Sequence, residues 1–296
     1  MAPAAHLRGV SKRFGSFVAL DSIDLAVSAG EIRGFLGPNG AGKTTAMRIL
    51  IGLLRADGGE VSLLGGDPWS EPGVRSELGF LPSDPGLYGR MRGRDLLDHF
   101  AALSGRPPVL REAACALLRF TDDDLARPVR TYSKGMRQKL GVLQAVQHDP
   151  ALLILDEPGE GLDPLVMSGL VALLRDRRDA GRAILFSSHV LAEVEALCDT
   201  VTMIRGGAIV GEGTIGELTA NRARAVILRL ADPGAAVDLP DCELVDRNGA
   251  RVVLHHHGAI TPLLAALATL EVEDVRIEEA SLDQVFMEYY GAEAAS

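Results

Sequence analysis

A glycine-rich run near residue 40 contains the residue types that can hold a chain of phosphate groups. It consists of Gly37, Pro38, Asn39, Gly40, Ala41, Gly42, Lys43 and Thr44 and matches the pattern GxxxxGK[ST] in full. Because glycine lacks a Cβ atom, the backbone can wrap around phosphate oxygens with several N–H groups pointing inward. We expect Lys43 to reach the β and γ phosphates, Thr44 to bind Mg²⁺ through its hydroxyl, and Thr45 to donate to the α phosphate.

Two adjacent acids form a second candidate for chemistry. Asp156 and Glu157 come directly after residues 152–155, an apolar run typical of a buried strand. Two carboxylates at a buried strand end are costly unless a cation or a proton accompanies them. The pair therefore predicts a site where Asp156 binds Mg²⁺ and Glu157 polarises an attacking water.

The elements that must position these residues are indicated by the apolar pattern. A strand is predicted at residues 32–36, directly before the glycine-rich run, and a helix from Lys43 to about Leu53. Uninterrupted apolar runs are typical of strands buried on both faces of a parallel sheet. Three such runs occupy residues 152–155, 183–186 and 201–204. The main domain is therefore predicted to be α/β.

Two further regions have a different pattern. Residues 84–130 are mostly helical in pattern and predict an inserted helical subdomain. A domain boundary is predicted near residues 214–224, because strand patterns restart after it. The C-terminal part then predicts a strand at 225–230, a strand pair around Asn248 and Gly249, a helix at 260–270, a strand at 272–277 and a short helix at 285–289.

Composition excludes several classes of protein. A chain of 296 residues is long enough for about two domains of ~150 residues each. Its formal net charge of −10 argues against nucleic acid as the main ligand. The apolar run at residues 151–155 is far shorter than the ~20 residues of a membrane helix, and the N-terminus lacks a signal pattern, so we expect a cytosolic chain. The three widely spaced cysteines predict reduced, structural thiols.

Residues 132–138, with the sequence YSKGMRQ, resemble the LSGGQ signature of the ATP-binding subunits of ABC transporters. The resemblance covers most of residues 6–213 and retains Ser133 and Gly135. It implies that two chains sandwich two ATP molecules and that Ser133 and Gly135 cap the nucleotide of the opposite chain. A serine hydroxyl, a glycine backbone and a helix N-terminus make a reasonable second site for the γ phosphate. Read alone, the Ser-x-Gly pattern would indicate only a helix N-cap.

Three other residues match elements of the same family. Residues 161–164 resemble the D-loop, which implies that Asp163 works at a dimer interface. His189 follows a buried-type strand and resembles the switch histidine that contacts the γ phosphate. Phe14 is similar to the aromatic residue that stacks on adenine, with Phe17 as the alternative candidate.

Several positions depart from the family pattern. Ser83 stands where the family usually has the Q-loop glutamine, and we expect Ser83 to act on Mg²⁺ through a water. In the signature-like segment Lys134 replaces a glycine and Met136 a glutamine. Near the D-loop, residues 159–160 are glycine and glutamate in place of small hydroxyl residues. A lysine so close to the phosphates could attract them or point to solvent, and the sequence gives no physical reason for Glu160.

Two charged or metal-binding patterns favour structural interpretations. Residues 255–257 are three consecutive histidines, and because side chains alternate along a strand, at most two could share one ion. We interpret them as a solvated strand edge. The acids at residues 122–124 follow Thr121 and predict a charged helix N-terminus capped by that threonine.

Together these features predict an α/β P-loop ATPase domain with an N-terminal antiparallel β subdomain and an inserted helical subdomain at about 84–135. We expect that domain at residues 1–215 and a small α+β accessory domain at 222–291. The resemblance implies an ATP-hydrolysing subunit that uses ATP and Mg²⁺, forms a homodimer or heterodimer, and powers export through a separate membrane permease. We expect it on the cytoplasmic face of the membrane, with the permease docking around residues 87–103. Residues 281–286, SLDQVF, also look like the exporter branch.

Two other functions are alternatives to this one. An ABC ATPase acting on ribosomes or DNA usually has two ATP domains or a long coiled-coil insertion, whereas this chain has one phosphate loop and a net negative charge. A P-loop kinase would phosphorylate a small acceptor, and the signature-like segment disfavours it.

Overall fold

The computed structural model describes residues 3–219 and 223–278, together with Leu282 and Phe286. The chain divides into two compact units, Met1–Thr214 and Ile215–Ser296. Most of the exporter-like segment at 281–286 and the helix predicted at 285–289 lie outside the described residues.

The first unit contains nine strands and seven helices within its described residues. The strands are β1 (Ala5–Phe14), β2 (Phe17–Val27), β3 (Ile32–Leu36), β4 (Gly58–Leu63), β5 (Leu78–Leu81), β6 (Leu152–Asp156), β7 (Ala183–Ser187), β8 (Thr200–Arg205) and β9 (Ala208–Thr214). The helices are α1 (Lys43–Leu50), α2 (Gly93–Ser104), α3 (Arg111–Leu117), α4 (Asp122–Ala126), α5 (Lys134–Val146), α6 (Pro164–Asp179) and α7 (Leu191–Leu197). Short 3-10 turns occupy Pro72–Glu77 and Val129–Thr131.

Two sheets form the framework of this unit. A three-stranded antiparallel sheet has the order β2-β1-β4, and a six-stranded sheet has the order β5-β6-β7-β3-β8-β9. In the larger sheet all neighbours are parallel except β9, which runs antiparallel to β8. Every residue of β6 and β7 is buried, as the uninterrupted apolar runs predict. The parallel arrangement brings the carboxyl ends of β3, β6 and β7 to one edge of the sheet.

Helix α1 follows β3 through the glycine-rich loop and ends earlier than its sequence pattern predicts. Its last residue is Leu50, three residues before the predicted end at Leu53. Gly52 has φ +71°, and the N–H groups of Gly52 and Leu53 donate to the carbonyls of Ile49 and Arg48. This is a Schellman motif, in which a glycine in the left-handed conformation ends the helix.

The helical region between β5 and β6 contains α2, α3, α4 and α5. Thr121 caps α4, its hydroxyl accepts from the Asp124 N–H, and the Asp124 carboxylate accepts from the Thr121 N–H. This capping box confirms the predicted role of the acidic run. Tyr132 packs against Phe120 with ring centroids 5.6 Å apart, and its hydroxyl donates to the Asp124 carbonyl at 2.6 Å. These contacts hold the segment that leads into α5.

The second unit is built on one antiparallel sheet. Its described elements are α8 (Ile215–Thr219), β10 (Arg224–Leu230), β11 (Cys242–Asn248), β12 (Arg251–His256), α9 (Ile260–Leu267) and β13 (Val272–Glu278). The sheet order is β11-β12-β10-β13. Its core contains Val226, Leu228, Val252, Leu254 and Leu263, which come from β10, β12 and α9. The predicted order of strands and helix is therefore present, although α9 ends at Leu267 instead of residue 270.

The interpretation of residues 255–257 as a solvated strand edge is wrong. β12 lies inside the sheet between β11 and β10, so its hydrogen-bonding edges are both covered. His256 is buried, His255 is half-buried and His257 is exposed, as alternation along a strand requires. Among the described residues, no group of three or more His, Cys, Asp or Glu side chains is arranged to hold a metal ion.

All three cysteines, Cys115, Cys198 and Cys242, are free thiols in the structure. Burial raises the pKa of the Cys198 thiol well above its usual range. Within the part of the chain that the structure describes, no helix has the length and apolar character needed to cross a membrane.

Candidate functional site

The loop between β3 and α1 requires glycine at two positions. A Cβ atom on Gly37 would lie 2.4 Å from the Ile204 carbonyl oxygen. Gly42 has φ +116°, and a Cβ atom there would lie 2.8 Å from the Ala19 carbonyl oxygen. Side chains at either position would displace the loop from β2 and β8. The loop therefore has the close-packed backbone that phosphate binding at the start of a helix needs.

Lys43, the first residue of α1, points back into this loop. Its side chain is buried, and its Nζ donates to the Gly37 carbonyl at 2.5 Å. Nζ also lies 3.9 Å from Oε1 of Glu157. Burial lowers the pKa of Lys43, and the nearby carboxylates of Glu157 and Asp156 oppose that shift. The ammonium group thus lies between the loop and the two acids.

Asp156 ends β6 and is 2% exposed. Its Oδ2 accepts from the Thr44 hydroxyl at 2.9 Å, and its Oδ1 accepts from the Ser187 hydroxyl at 2.6 Å. Ser187 stands opposite Asp156 in the β6–β7 register. A carboxylate beside a hydroxyl, next to a phosphate-binding loop, is a donor set that suits Mg²⁺, which prefers oxygen ligands and usually shares them with substrate phosphates. The residues present therefore fit this ion.

Glu157 has an unusual backbone conformation, and its carboxylate makes two contacts with His189. Its φ is +54°, in the left-handed region that non-glycine residues rarely adopt. Oε2 lies 2.7 Å from His189 Nδ1 and also accepts from the His189 N–H at 3.2 Å. The Glu157 carboxylate is mostly buried, whereas the His189 ring is more than half exposed. The two residues meet because β6 and β7 are neighbours and both end at this edge of the sheet.

Lys43, Asp156 and Glu157 line one cleft of about 300 Å³, whereas His189 contacts Glu157 and is not among the lining residues. Its lining residues are Phe17, Ala19, Pro38, Asn39, Gly40, Gly42, Lys43, Thr44, Thr45, Ser83, Asp156 and Glu157. The structure thus brings together most of the residues predicted for a phosphate and metal site, Ser83 included. Gly37 and Ala41 belong to the same loop but are not among the lining residues. The Gly37 carbonyl accepts from the Lys43 ammonium, and the Ala41 carbonyl accepts from the Gly207 N–H at 3.0 Å.

The aromatic residue at the cleft is Phe17 instead of Phe14, the first candidate from sequence. The two rings are close neighbours, because Phe14 and Phe17 pair across the turn between β1 and β2. Phe17 lines the cleft. The Phe14 ring has the Lys12 ammonium 5.6 Å from its centroid. Which of the two rings stacks on adenine stays a prediction.

The signature-like segment forms the start of α5. The Ser133 hydroxyl caps this helix and accepts from the Met136 N–H at 3.2 Å. A Cβ atom on Gly135 would lie 2.6 Å from the Gly161 carbonyl oxygen, so the signature-like and D-loop-like segments touch through their backbones. Lys134 and Glu160 form an ion pair across the same contact.

The D-loop-like segment leads into α6. Asp163 caps this helix, and its Oδ1 accepts from the N–H groups of Leu165 and Val166, both at 3.0 Å. The hydrogen bond from Val166 is the main cause of a lowered pKa for Asp163. Ser133, Gly135 and Asp163 are not among the residues that line the cleft.

Two contacts of the Glu157 backbone could not be found from the sequence patterns. Ser187 joins Asp156 to the Glu157 backbone, and its only sequence signal is a polar residue after an apolar run. Gln138 donates from its Nε2 to the Glu157 carbonyl at 2.9 Å, and its only signal is its place near the signature-like segment.

Comparison with known proteins gives a consistent result. The family model described as ABC transporter matches residues 20–160. Daunorubicin resistance ATP-binding protein DrrA3 of Streptomyces coeruleorubidus is 35% identical to this chain. The alignment is 303 positions long and covers 97% of this chain and 96% of that protein. The ABC transporter ATP-binding protein YdbJ of Bacillus subtilis (strain 168) is 38% identical over 227 residues, covering 76% of this chain and 74% of that protein.

Solved structures share the fold. The ATP-binding subunit of an ABC transporter superposes with a TM-score of 0.69 at 28% identity, over 73% of this chain and 92% of that one. The dimeric structure of MJ0796, a bacterial ABC transporter cassette, has a TM-score of 0.65 at 16% identity and covers 71% of this chain and 98% of its own. These findings confirm the predicted P-loop ATPase fold and ATPase class. The chain belongs to the family of ATP-binding subunits of ABC transporters.

Proposed function

We propose that this chain powers export of a substrate through a separate membrane permease, by ATP-driven closure of a dimer of ATP-binding subunits. One observation supports the proposed dimer in particular. The cleft holds the groups for phosphate, metal and water, whereas Ser133 and Gly135 lie outside it. A second chain, identical or closely related, would supply its own Ser133 and Gly135 to complete the site.

Each group in the cleft has a proposed role. The Lys43 ammonium and the loop N–H groups bind the β and γ phosphates, and the Phe17 ring stacks on the adenine. Thr44 and Asp156 would hold Mg²⁺, with Ser83 acting through a water, and the bound ion would neutralise charge on the phosphate oxygens. Glu157 orients the attacking water and accepts its proton. His189 holds the Glu157 carboxylate and reaches the γ phosphate.

The relatives support the export part of the proposal. Two proteins named as daunorubicin or daunorubicin/doxorubicin resistance ATP-binding proteins each match 97% of this chain. Resistance to a compound is consistent with its removal from the cell. In an ABC transporter the substrate path belongs to the membrane component, so we propose a partner permease and a place on the cytoplasmic face of the membrane. Tyr88 and Leu103 are exposed apolar residues in the proposed docking region 87–103.

Glu157→Gln tests the catalytic and dimer parts together. We expect ATP hydrolysis to fall about 10²- to 10⁴-fold, the usual contribution of a general base. With ATP and Mg²⁺ the variant should form a stable dimer, measured by size-exclusion chromatography with light scattering. Glu112→Gln, which changes an exposed acid on α3, is the matched control and should behave as wild type. Wild-type turnover or a persistent monomer, even with the permease supplied, would contradict the proposal.

Product analysis separates the ATPase from a P-loop kinase. An ATPase releases one inorganic phosphate for each ADP, whereas a kinase transfers the phosphate to an acceptor. We expect equal ADP and phosphate with or without added small acceptors. Co-purification with a co-expressed membrane permease, followed by substrate transport in vesicles, tests the export step.

A further inference from the structure

Gln138 is a buried polar residue on α5 that the proposed catalytic steps leave without a role. Its side chain is 3% exposed, and its Nε2 donates to the Glu157 carbonyl at 2.9 Å. Buried amides are costly unless they are hydrogen-bonded, so a donor placed here has a specific acceptor. That acceptor belongs to the residue that would orient the attacking water.

The Glu157 backbone needs such support. A non-glycine residue with φ +54° is strained, and strained backbone persists only where surrounding groups fix it from several sides. The Glu157 N–H donates to the Ser187 carbonyl at 3.2 Å and to the Ser187 hydroxyl at 3.1 Å. The Glu157 carbonyl accepts from Gln138 and, at 3.2 Å, from the Glu160 N–H. Gln138 is the one side chain that reaches this carbonyl within the described hydrogen bonds.

The position of Gln138 on α5 links two parts of the molecule. It lies five residues after Ser133, the cap of the same helix. In the proposed dimer Ser133 faces the nucleotide of the partner chain, so a rigid helix joins the partner's nucleotide to the Glu157 backbone of this chain. A shift of the start of α5 on dimer closure would reach Glu157 through the Gln138 amide.

We propose that Gln138 is a positioning residue that holds Glu157 in its catalytic conformation and couples it to the signature-like end of α5. This inference rests on the proposed function, because it requires Glu157 to act on the attacking water. Gln138 touches no reacting atom, so its loss should slow hydrolysis without weakening ATP binding.

Gln138→Met tests the proposal, because methionine has a similar length and no donor. Gln147→Met is the matched control. Gln147 is also buried at the α5 end and donates to a backbone carbonyl, that of Leu97, at 3.0 Å.

We expect kcat of Gln138→Met to fall about 10- to 100-fold, the cost typical of misplacing a catalytic group. The KM for ATP should stay within about twofold of wild type, and the Hill coefficient for ATP should move toward 1. Gln147→Met should keep the wild-type kcat.

A structural role and a positioning role differ in the Glu157→Gln background. If Gln138 acts through Glu157, adding Gln138→Met to Glu157→Gln should cause little further loss of the residual single-turnover rate. A further loss as large as in wild type would overturn the proposal. A wild-type kcat for Gln138→Met, or a loss matched by Gln147→Met, would also overturn it.

A stability measurement and a second variant separate loss of catalysis from loss of folding. Thermal unfolding of both methionine variants shows whether their stability losses match. Gln138→Glu, which has the same shape with an acceptor oxygen in place of the donor nitrogen, replaces the methionine variant if that chain does not fold, and the same kcat loss is expected. Wild-type turnover by Glu157→Gln alone would instead remove the proposed function, so the two failures are distinct.

Discussion

Lys134 and Glu160 form an ion pair that joins the first turn of α5 to the segment before Asp163. Both residues depart from the family pattern, and the sequence alone gives no reason for Glu160. Their pairing supplies a reason. The Lys134 ammonium and the Glu160 carboxylate neutralise each other where two backbone segments touch at Gly135 and Gly161. The pair is partly exposed, so its contribution to stability is expected to be at most about 1 kcal/mol.

The pair should instead affect nucleotide binding in the proposed dimer. Glu160→Gln leaves an uncompensated positive charge beside the partner's phosphates, so the KM for ATP should fall. Lys134→Gln leaves a negative charge, so the KM should rise. Both changes should be about two- to fivefold at low salt and shrink at high salt, because exposed charges are screened. Steady-state ATPase assays at two salt concentrations measure this.

The control for this prediction is Asp122→Asn, which breaks another exposed ion pair, with Arg94. It should leave the KM unchanged. Equal KM values for Glu160→Gln and Lys134→Gln would show that Lys134 does not act on nucleotide.

Gly135→Ala should disrupt the contact between the signature-like and D-loop-like segments. The new methyl group would lie 2.6 Å from the Gly161 carbonyl oxygen, so one backbone must move. We expect ATP-driven dimerisation and kcat to fall by at least tenfold, because misplacement by about 1 Å has large effects on catalysis. In Gly58→Ala the methyl group enters open space, and activity should stay normal. Normal dimerisation of Gly135→Ala, measured by light scattering in the Glu157→Gln background, would disprove the requirement for this contact.

Ser83→Ala should weaken the use of Mg²⁺. Ser83 lines the cleft with Thr44 and Asp156, and a water bound by its hydroxyl would be lost. A hydrogen bond worth about 1 kcal/mol corresponds to a roughly fivefold rise in the Mg²⁺ concentration needed for half-maximal ATPase rate. Ser70→Ala, on an exposed segment, should not change that concentration. If the Mg²⁺ dependence of Ser83→Ala matches wild type, Ser83 has no role in the metal site.

Asp149→Asn should lower stability in a pH-dependent way. Burial acts to raise the pKa of Asp149, but hydrogen bonds from Arg182 and Arg177 outweigh it and hold the pKa below its usual range. With a lower pKa in the folded state, the carboxylate stabilises the fold above the unfolded pKa of about 3.9 and stops doing so as pH falls through the folded pKa. At pH 7 we expect Asp149→Asn to lose about 1 to 2 kcal/mol of unfolding free energy.

Urea titrations at several pH values measure that loss, and the gap from wild type should narrow below about pH 4. Asparagine tolerates the left-handed conformation of residue 149, where φ is +51°, so the variant changes charge more than backbone strain. Asp179→Asn, at an exposed carboxylate paired with Arg178, should cost little. A gap that does not depend on pH would show that charge is not the cause.

Local sequence signals were enough to predict several parts of the site. The pattern from Gly37 to Thr44 predicts both the loop and the first residue of α1, because glycine and lysine at fixed spacing act within one short segment. The apolar run before Asp156 predicts β6, and Ser133 and Asp163 cap the helices that follow them. Even the early end of α1 has a local signal, since Gly52 favours the left-handed conformation that ends the helix.

Other features depend on which distant segments meet. The hydrogen bond between Glu157 and His189 requires β6 and β7 to be neighbours. The place of Phe17 at the cleft depends on the β1–β2 hairpin packing beside the glycine-rich loop. The support of Glu157 by Gln138 requires α5 to pack beside the end of β6.

The sequence by itself therefore determined the phosphate loop, the order of the elements and the identity of the acids, because each depends on residues close together along the chain. Only the tertiary structure decided the left-handed conformation of Glu157, its link to Gln138 and the pairing of Lys134 with Glu160. Those contacts join residues that are 19 and 26 positions apart, and no local preference specifies them. Sheet order and close backbone packing bring such residues together.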